Sequence, residues 1–464
     1  MSLLITILAF VVALGCLIVI HEYGHYKVAR WCNVKVLRFS VGFGKPLCTW
    51  RRGADQTEWV IAAIPLGGYV KMLDEREGDV APEDLPRAFN RQNVWRRSAI
   101  VVAGPVANFL LAIALYWVLF MHGVPGIKPV IGAPIPDTAA AAAGFASGEL
   151  IRKIGDDPIA TWQDARWVLL QHAVGKSTVA VEVEGETGAE AAKESGRVLT
   201  RNLDLSKMTA ADLDSDFLRV IGFTRFQPRA APIVGKISAG GAAERAGLKS
   251  GDEIIAIGNA PAGSIDHVIR AIREHHGRAL MFEVRRDNAA VLTISITPES
   301  YSAKDGRVSG RIGAELRYPE AVFAKYHVDV RYGPGDSLVK ALAKTWDTSV
   351  FSLKMLGKMI TGDVSVKNLS GPITIADYAG QSAQNGWTSY LVFLALISIS
   401  LGVLNLLPVP LLDGGHLMYY IVEIFKGAPV SDRALELGQR VGMTLLFVLM
   451  AVAIFNDIHR LVGG

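Results

Sequence analysis

Eighteen consecutive uncharged and mostly apolar residues, Leu3 to Ile20, constrain this chain more than any other feature. At 1.5 Å per residue a helix of that length covers most of a bilayer core about 30 Å thick. No basic region precedes the run and no small-residue cleavage site follows it, so it reads as a retained anchor. It ends in His21-Glu22-Tyr23-Gly24-His25, an H-E-x-x-H pattern. Residues i and i+4 share a helix face, so His21 and His25 can offer imidazole nitrogens to one metal ion. Glu22 lies one position along, where a carboxylate can take a proton from a zinc-bound water whose pKa is about 7. H-E-x-x-H also arises by chance in soluble helices. Titratable groups flush with a membrane run are costly to insert, however, and such groups mark function.

Half of the 464 residues are apolar, which excludes a plain soluble enzyme, and the length suggests three or four structural units. The net charge of +4 carries no nucleic-acid signal. Cys16, Cys32 and Cys48 show no C-x-x-C spacing, so they predict neither a zinc ribbon nor a disulfide scaffold.

Residues 27 to 97 hold thirteen Lys and Arg, the largest basic cluster beside any apolar run. The positive-inside rule makes this segment cytoplasmic and puts the histidines near the cytoplasmic leaflet. Within it, Val34 to Phe43, Glu58 to Ala63 and Gly68 to Met72 read as short strands of a small sheet. A second apolar run, Ser98 to Met121, carries Gly104-Pro105, predicting a kink and close approach of a neighbour, and Asn108, an interhelical hydrogen-bonding residue. Asp336 to Ile360 has apolar residues at helical spacing interrupted by four lysines, which predicts an interfacial helix. Tyr390 to Leu412 and a run around Val441 to Phe455 complete four crossings.

Between the second and third crossings the chain repeats itself. Ala143-Gly144-Phe145-Ala146-Ser147-Gly148-Glu149-Leu150-Ile151 returns as Ala246-Gly247-Leu248-Lys249-Ser250-Gly251-Asp252-Glu253-Ile254, at an offset of 103 that holds through Pro158 and Pro261. Each copy predicts a short helix, a glycine turn, a strand and a longer helix. The pattern resembles bacterial PDZ domains, and two of about 95 residues fit the interval.

Two histidines leave a catalytic zinc one protein ligand short. Asp413 is the best candidate: it closes the third run at the depth where His21 and His25 leave the first. Pro408 and Pro410 open the helix just before it, and freed backbone at that depth must be buried in protein or line a wet cavity. His416 is a rival ligand, and a plain helix cap is the structural alternative for Asp413.

H-E-x-x-H in a first membrane helix, Asn405-Leu406-Leu407-Pro408-Val409-Pro410-Leu411-Leu412-Asp413-Gly414 at a third, and a PDZ pair between resemble the site-2 protease family of intramembrane zinc metalloproteases. Pro65 to Met72 and Asn368 to Pro372 extend the likeness over nearly the whole chain. The resemblance implies Zn²⁺ on His21, His25 and Asp413, Glu22 as base, and Asn405 holding extended substrate backbone. It also implies that Gly42, Phe43 and Gly44, with the strand through Gly68, Tyr69, Val70 and Lys71, form a membrane-associated β region that receives substrate. The implied substrate is a membrane-anchored anti-sigma factor already trimmed by an upstream site-1 type protease, with remnant signal peptides as a further class. The physics is coherent, because a helix must unwind to be cut and a strand edge can take over its hydrogen bonds.

The expected architecture is a four-span α-helical membrane protein with that β region and two PDZ domains. Residues 1–125 would hold the first two spans (about 3–30 and 98–121), 126–222 and 223–315 the PDZ domains, 316–389 the interfacial helix, and 390–464 the last two spans. The expected location is a bacterial inner membrane, PDZ domains periplasmic, where they would exclude untrimmed substrates. The alternative is a non-catalytic PDZ scaffold with structural zinc, for which a fourth Cys or His ligand would speak. A transporter would need a second broken helix in an inverted repeat, and none is visible.

Overall fold

The computed structural model describes residues 2–463 apart from 186–197, 210–211, 214–215, 227–229, 259, 288–289, 303–307, 320–321, 323 and 366–368. Asn368, part of the motif ending at Pro372, lies outside the described residues. The chain forms two compact units: Met1–Val124 with Thr209–Asp214 and Val330–Gly464, and Pro125–Met208 with Ser215–Asp329.

The first unit is helical. Its helices are α1 (Ser2–Trp31), α2 (Val94–His122), α3 (Pro334–Thr361), α4 (Pro372–Gln384), α5 (Trp387–Leu406), α6 (Asp413–Lys426) and α7 (Asp432–Gly463). Four stretches are long and apolar enough to cross a membrane: Leu3–Trp31, Val94–His122, Trp387–Leu406 and Arg433–Arg460. The protein is therefore a multi-span membrane protein with sheet-rich parts. Asn93 starts α2 by accepting the Arg96 N–H at 2.8 Å, and the helix runs on through Pro105. The third span ends at Leu406, six residues short of the expected Leu412, because Pro408 and Pro410 cannot donate to a helix and restrict the residues before them. Helix α4 was not expected from the sequence, and α6 was foreseen only in the alternative that makes Asp413 a helix cap; both are short, and α6 carries Asp413 as its first residue.

Small residues let the spans approach closely. Ala9, Ala13 and Leu17 of α1 meet Ala379 of α4 and Phe393 and Leu394 of α5. Ala112, Tyr116 and Leu119 of α2 pack with Ala341 of α3 and Ala395, Ile399 and Val403 of α5. Helix α3 buries Ser337, Ala341, Thr345 and Thr348 while Leu338, Val339, Leu342 and Trp346 stay exposed. The Asp457 carboxylate of α7 caps α4, accepting the N–H groups of Gly371 (3.0 Å), Ile373 (2.9 Å) and Thr374 (3.2 Å).

The three short strands expected on the basic segment are instead two long ones, β1 (Val36–Arg52) and β2 (Thr57–Met72). Gly42, Gly44 and Gly67 adopt positive φ of 92°, 85° and 137°, so each strand bends where a break was expected. Residues 36–41 pair on one side with 58–61 and on the other with 68–72, and 46–52 pair with 57–62. Residues 68–72 are thus an edge, with no second strand partner among the described residues.

The second unit holds the repeat. In the first copy the strands Asp157–Pro158, Glu149–Ile154, Thr178–Gly185 and Val198–Asp204 form a sheet in that order, flanked by helices Ala139–Ala142 and Trp162–Gly175. In the second copy the sheet order is Ala290–Ile296, Leu280–Arg286, Glu253–Ile257, Ile233–Ile237 and Ala314–Arg317, with Ala260–Pro261 paired to Glu253–Ile257. The helices Ala242–Arg245 and Ile265–Glu274 start 103 residues after their counterparts, and Thr161 and Ser264 are matching N-caps. Each copy buries an acid after its glycine turn: Glu149 pairs with Arg201 at 2.7 Å, and Asp252 with Arg286 at 2.7 Å.

A candidate metal centre

His21 and His25 stand one turn apart on α1, and Asp413 opens α6. Their ligand atoms lie within 4.8 Å of one another, the one such group of three or more among the described residues. His25 Nδ1 is 2.8 Å from the Ile100 carbonyl oxygen of α2. A carbonyl can only accept, so Nδ1 carries the proton and Nε2 of the neutral ring is a bare lone pair. That Nε2 sits 3.2 Å from His21 Nε2, and Asp413 Oδ2 sits 3.2 and 3.5 Å from the two nitrogens. Oδ2 is buried and has no hydrogen-bond partner. Three electron-rich atoms facing one point repel unless a cation stands between them. Tetrahedral zinc with ligand bonds of about 2.0–2.1 Å sets its ligands roughly 3.3 Å apart, which is the spacing found. The residues fit the metal.

The chain makes room for this cluster in specific ways. A Cβ on Gly104 would overlap the His25 imidazole and fall 2.8 Å from His21 Cε1, so the imidazoles occupy the space a side chain would take. The close neighbour expected at Gly104 is thus the His21 and His25 imidazole pair. Leu411, two residues before Asp413, holds a left-handed φ of 90°, a strained conformation for a γ-branched residue. Gly414 and Gly415 pack against the carbonyls of Leu407 and Val409, so the proline-rich turn folds directly onto the start of α6. The far end of α6 is tied to α2 by Arg97, which donates to Glu423 at 2.5 Å and covers the Tyr420 ring at 4.9 Å.

Other expected site residues fall around the cluster. Asn405 Nδ2 is 3.5 Å from His21 Nε2. Glu22 lies against β2: a Cβ on Gly68 would be 3.0 Å from Glu22 Cγ and 2.8 Å from the Ser40 carbonyl oxygen. Phe43, between the bent Gly42 and Gly44, stacks on Tyr69 with centroids 6.2 Å apart. Tyr69, Val70 and Lys71 continue the edge, where Tyr69 accepts from Arg38 at 3.2 Å and Lys71 pairs with Glu77 at 3.2 Å. His416, the rival ligand, is outside the three-residue group, and burial pushes its imidazole below the ordinary value. Sequence reasoning missed the Ile100 carbonyl, which no side-chain pattern can reveal. The Gly104-Pro105 pair inside a span was the available signal for the socket.

Comparison with known proteins identifies the family. The model of peptidase family M50 matches residues 9–449. The chain is 42% identical to the regulator of sigma-E protease RseP of Salmonella typhimurium, over 99% of this chain and 100% of that one. It is 41% identical to the Escherichia coli protein of the same name, again over 99% and 100%, and 41% identical to the protease RseP of Yersinia pestis over the same shares. A membrane bundle with two imidazoles and a carboxylate at zinc spacing, matched from end to end, has one reading: the chain belongs to peptidase family M50 and is an intramembrane zinc metalloprotease of the site-2 type.

Proposed function

We propose that this protease cuts the membrane segment of a single-span substrate already trimmed outside, of the anti-sigma type that its relatives' names suggest. Remnant signal peptides are a second substrate class. His21, His25 and Asp413 hold the zinc, which when bound supplies an acidified water and a Lewis acid. Glu22 would be the base, its carboxylate positioned to take a proton from the attacking water and give it to the leaving amine. Asn405 and the edge from Gly68 to Lys71, with Gly42, Phe43 and Gly44 at its bend, hold the substrate backbone extended. A membrane helix hides its carbonyls in its own hydrogen bonds, and an unpaired edge beside the base offers replacements. The single observation that carries the reading is the convergence of three potential ligand atoms beside Glu22 and an open strand edge.

The two repeats fit PDZ domains, residues 126–222 and 223–315. In the second, a cavity of about 550 Å³ runs between its longer helix (Ile269, Ile272, Arg273) and the strand bearing Ala314 and Leu316. In the first, Phe217 is buried and Arg166, the counterpart of Ile269, covers its ring at 5.6 Å. Residues 316–386 connect the repeats to the last two spans, the first of which starts at Trp387 rather than at the expected 390. The basic segment supports a zinc site near the cytoplasmic leaflet of a bacterial inner membrane and repeats in the periplasm, where they would exclude substrates with bulky outer domains.

The test is cleavage of a single-span anti-sigma substrate by purified protein in detergent, with and without chelator. Cutting inside the membrane segment that stops with chelator and returns with zinc supports the reading. Chelator-resistant cutting by a clean preparation overturns it. For the edge, Val70→Pro is expected to impair cleavage far more than Val70→Thr with zinc content unchanged. Equal effects would make the strand a packing element.

A further inference from the structure

Asn108 is fully buried on α2 and faces the back of His21. Its amide nitrogen is 3.3 Å from His21 Nδ1, while its amide oxygen is buried without any partner. Its backbone carbonyl accepts the Ser398 hydroxyl at 2.7 Å, so α5 fixes the stretch of α2 from which the amide projects. If His21 presents Nε2 to the metal, its proton sits on Nδ1, and an amide N–H facing it sets donor against donor. A half-turn of the amide exchanges its oxygen and nitrogen with no change of shape. The oxygen then accepts the Nδ1 proton, which resolves both the facing donors and the orphaned buried acceptor.

We propose that Asn108 is a positioning residue for the metal centre: its amide oxygen holds the Nδ1 proton of His21 and so turns a bare Nε2 toward the zinc. His25 is fixed in the same sense by the Ile100 carbonyl, so α2 sets both imidazoles, one with backbone and one with a side chain. Ser398 links that arrangement to α5, the helix whose end carries Asn405. The proposal rests on His21 being a ligand, and the experiment separates the two.

Zinc affinity of the full-length protein in detergent is measured by competition with a chromophoric chelator. The variants are Asn108→Leu, of similar shape without hydrogen bonding, and Asn108→Asp, which keeps an acceptor. His21→Ala serves as reference. Loss of a supporting group of this kind typically costs about 10- to 100-fold in metal affinity, and that loss is expected for Asn108→Leu, with Asn108→Asp close to wild type. Wild-type affinity in Asn108→Leu, or equal loss in both variants, overturns the proposal while leaving His21 a ligand if His21→Ala has lost zinc. Retained zinc in His21→Ala removes the reading beneath it. Should the Asn108 variants fail to fold, His21 itself decides: the zinc form of the wild type must show an exchange-protected imidazole N–H that is absent from His21→Gln. Its absence from the wild type refutes the proposal.

Discussion

The two units of this protein bury polar groups by opposite strategies. In the repeat unit each buried acid finds its partner within one copy: Asp252 takes Arg286 and the Lys249 N–H, and Glu149 takes Arg201 and the Ala146 N–H. In the membrane unit the partners come from remote stretches of chain. Arg97 meets Glu423 across 326 residues, and Asn405 approaches His21 across 384. Water can solvate an imperfect pair in the first setting but cannot in the second, where every polar group must be answered by protein or metal. A polar cluster inside spans is therefore built for chemistry, whereas the repeat's ion pairs serve the stability of one small core.

The largest expected effect tests the metal centre directly. Asp413→Ala removes one of three ligands, so metal analysis should show zinc lost or much weakened and cleavage abolished. Full zinc content in that variant would move the third ligand to His416 and make the bare Oδ2 unexplained. Next comes Glu22→Gln, which leaves all three ligands in place. It should keep zinc and lower the cleavage rate by roughly 10² to 10⁴, the usual worth of a general base. Substantial cutting by a clean preparation would point to a different base.

Gly104→Ala probes how finely the membrane unit is fitted. The new methyl overlaps the His25 imidazole, so zinc should weaken by about 10- to 100-fold while the helical signal in circular dichroism stays unchanged. Unchanged affinity would mean that α2 can back away from α1 without cost. The smallest effect belongs to the repeat unit. Burial pushes the Asp252 carboxyl up, but Arg286 and the Lys249 N–H outweigh it and hold the group below its ordinary value. Its contribution is thus complete above the unfolded pKa and is lost as pH falls through the lower folded one. Asp252→Asn should lower the stability of this unit by about 1.5–3 kcal/mol, as for other hydrogen bonds to charged groups. The loss should shrink in acid, and proteolysis of the repeat unit against pH reads it. Zinc content should not change, and a fall in zinc would break the contrast between the units.

The legibility of the sequence follows the same division. The repeat was readable because its signals are local: the offset of 103 carried the N-caps Thr161 and Ser264 and the short helices into register unaided. The four spans were readable from apolar length, since a bilayer asks only for that. The β region was misread as three strands because glycines at positive φ can end a strand or bend it, and only pairing partners decide. Helix α4 escaped notice because its start is capped from a distance by Asp457.

The sequence by itself determined the chemistry on offer: two imidazoles one turn apart, a carboxylate between them, and an acid after a proline-rich turn at matching depth. Those are residue types at fixed spacing, which covalent geometry and helix periodicity settle without any fold. Only the tertiary structure decided that Asp413 faces the bare nitrogens, that Gly104 leaves the hollow they fill, that Ile100 and Asn108 stand behind them, and that Gly68 lies against Glu22. Each of these is a contact between segments tens to hundreds of residues apart, fixed by the packing of α1, α2 and α6, and packing has no local code.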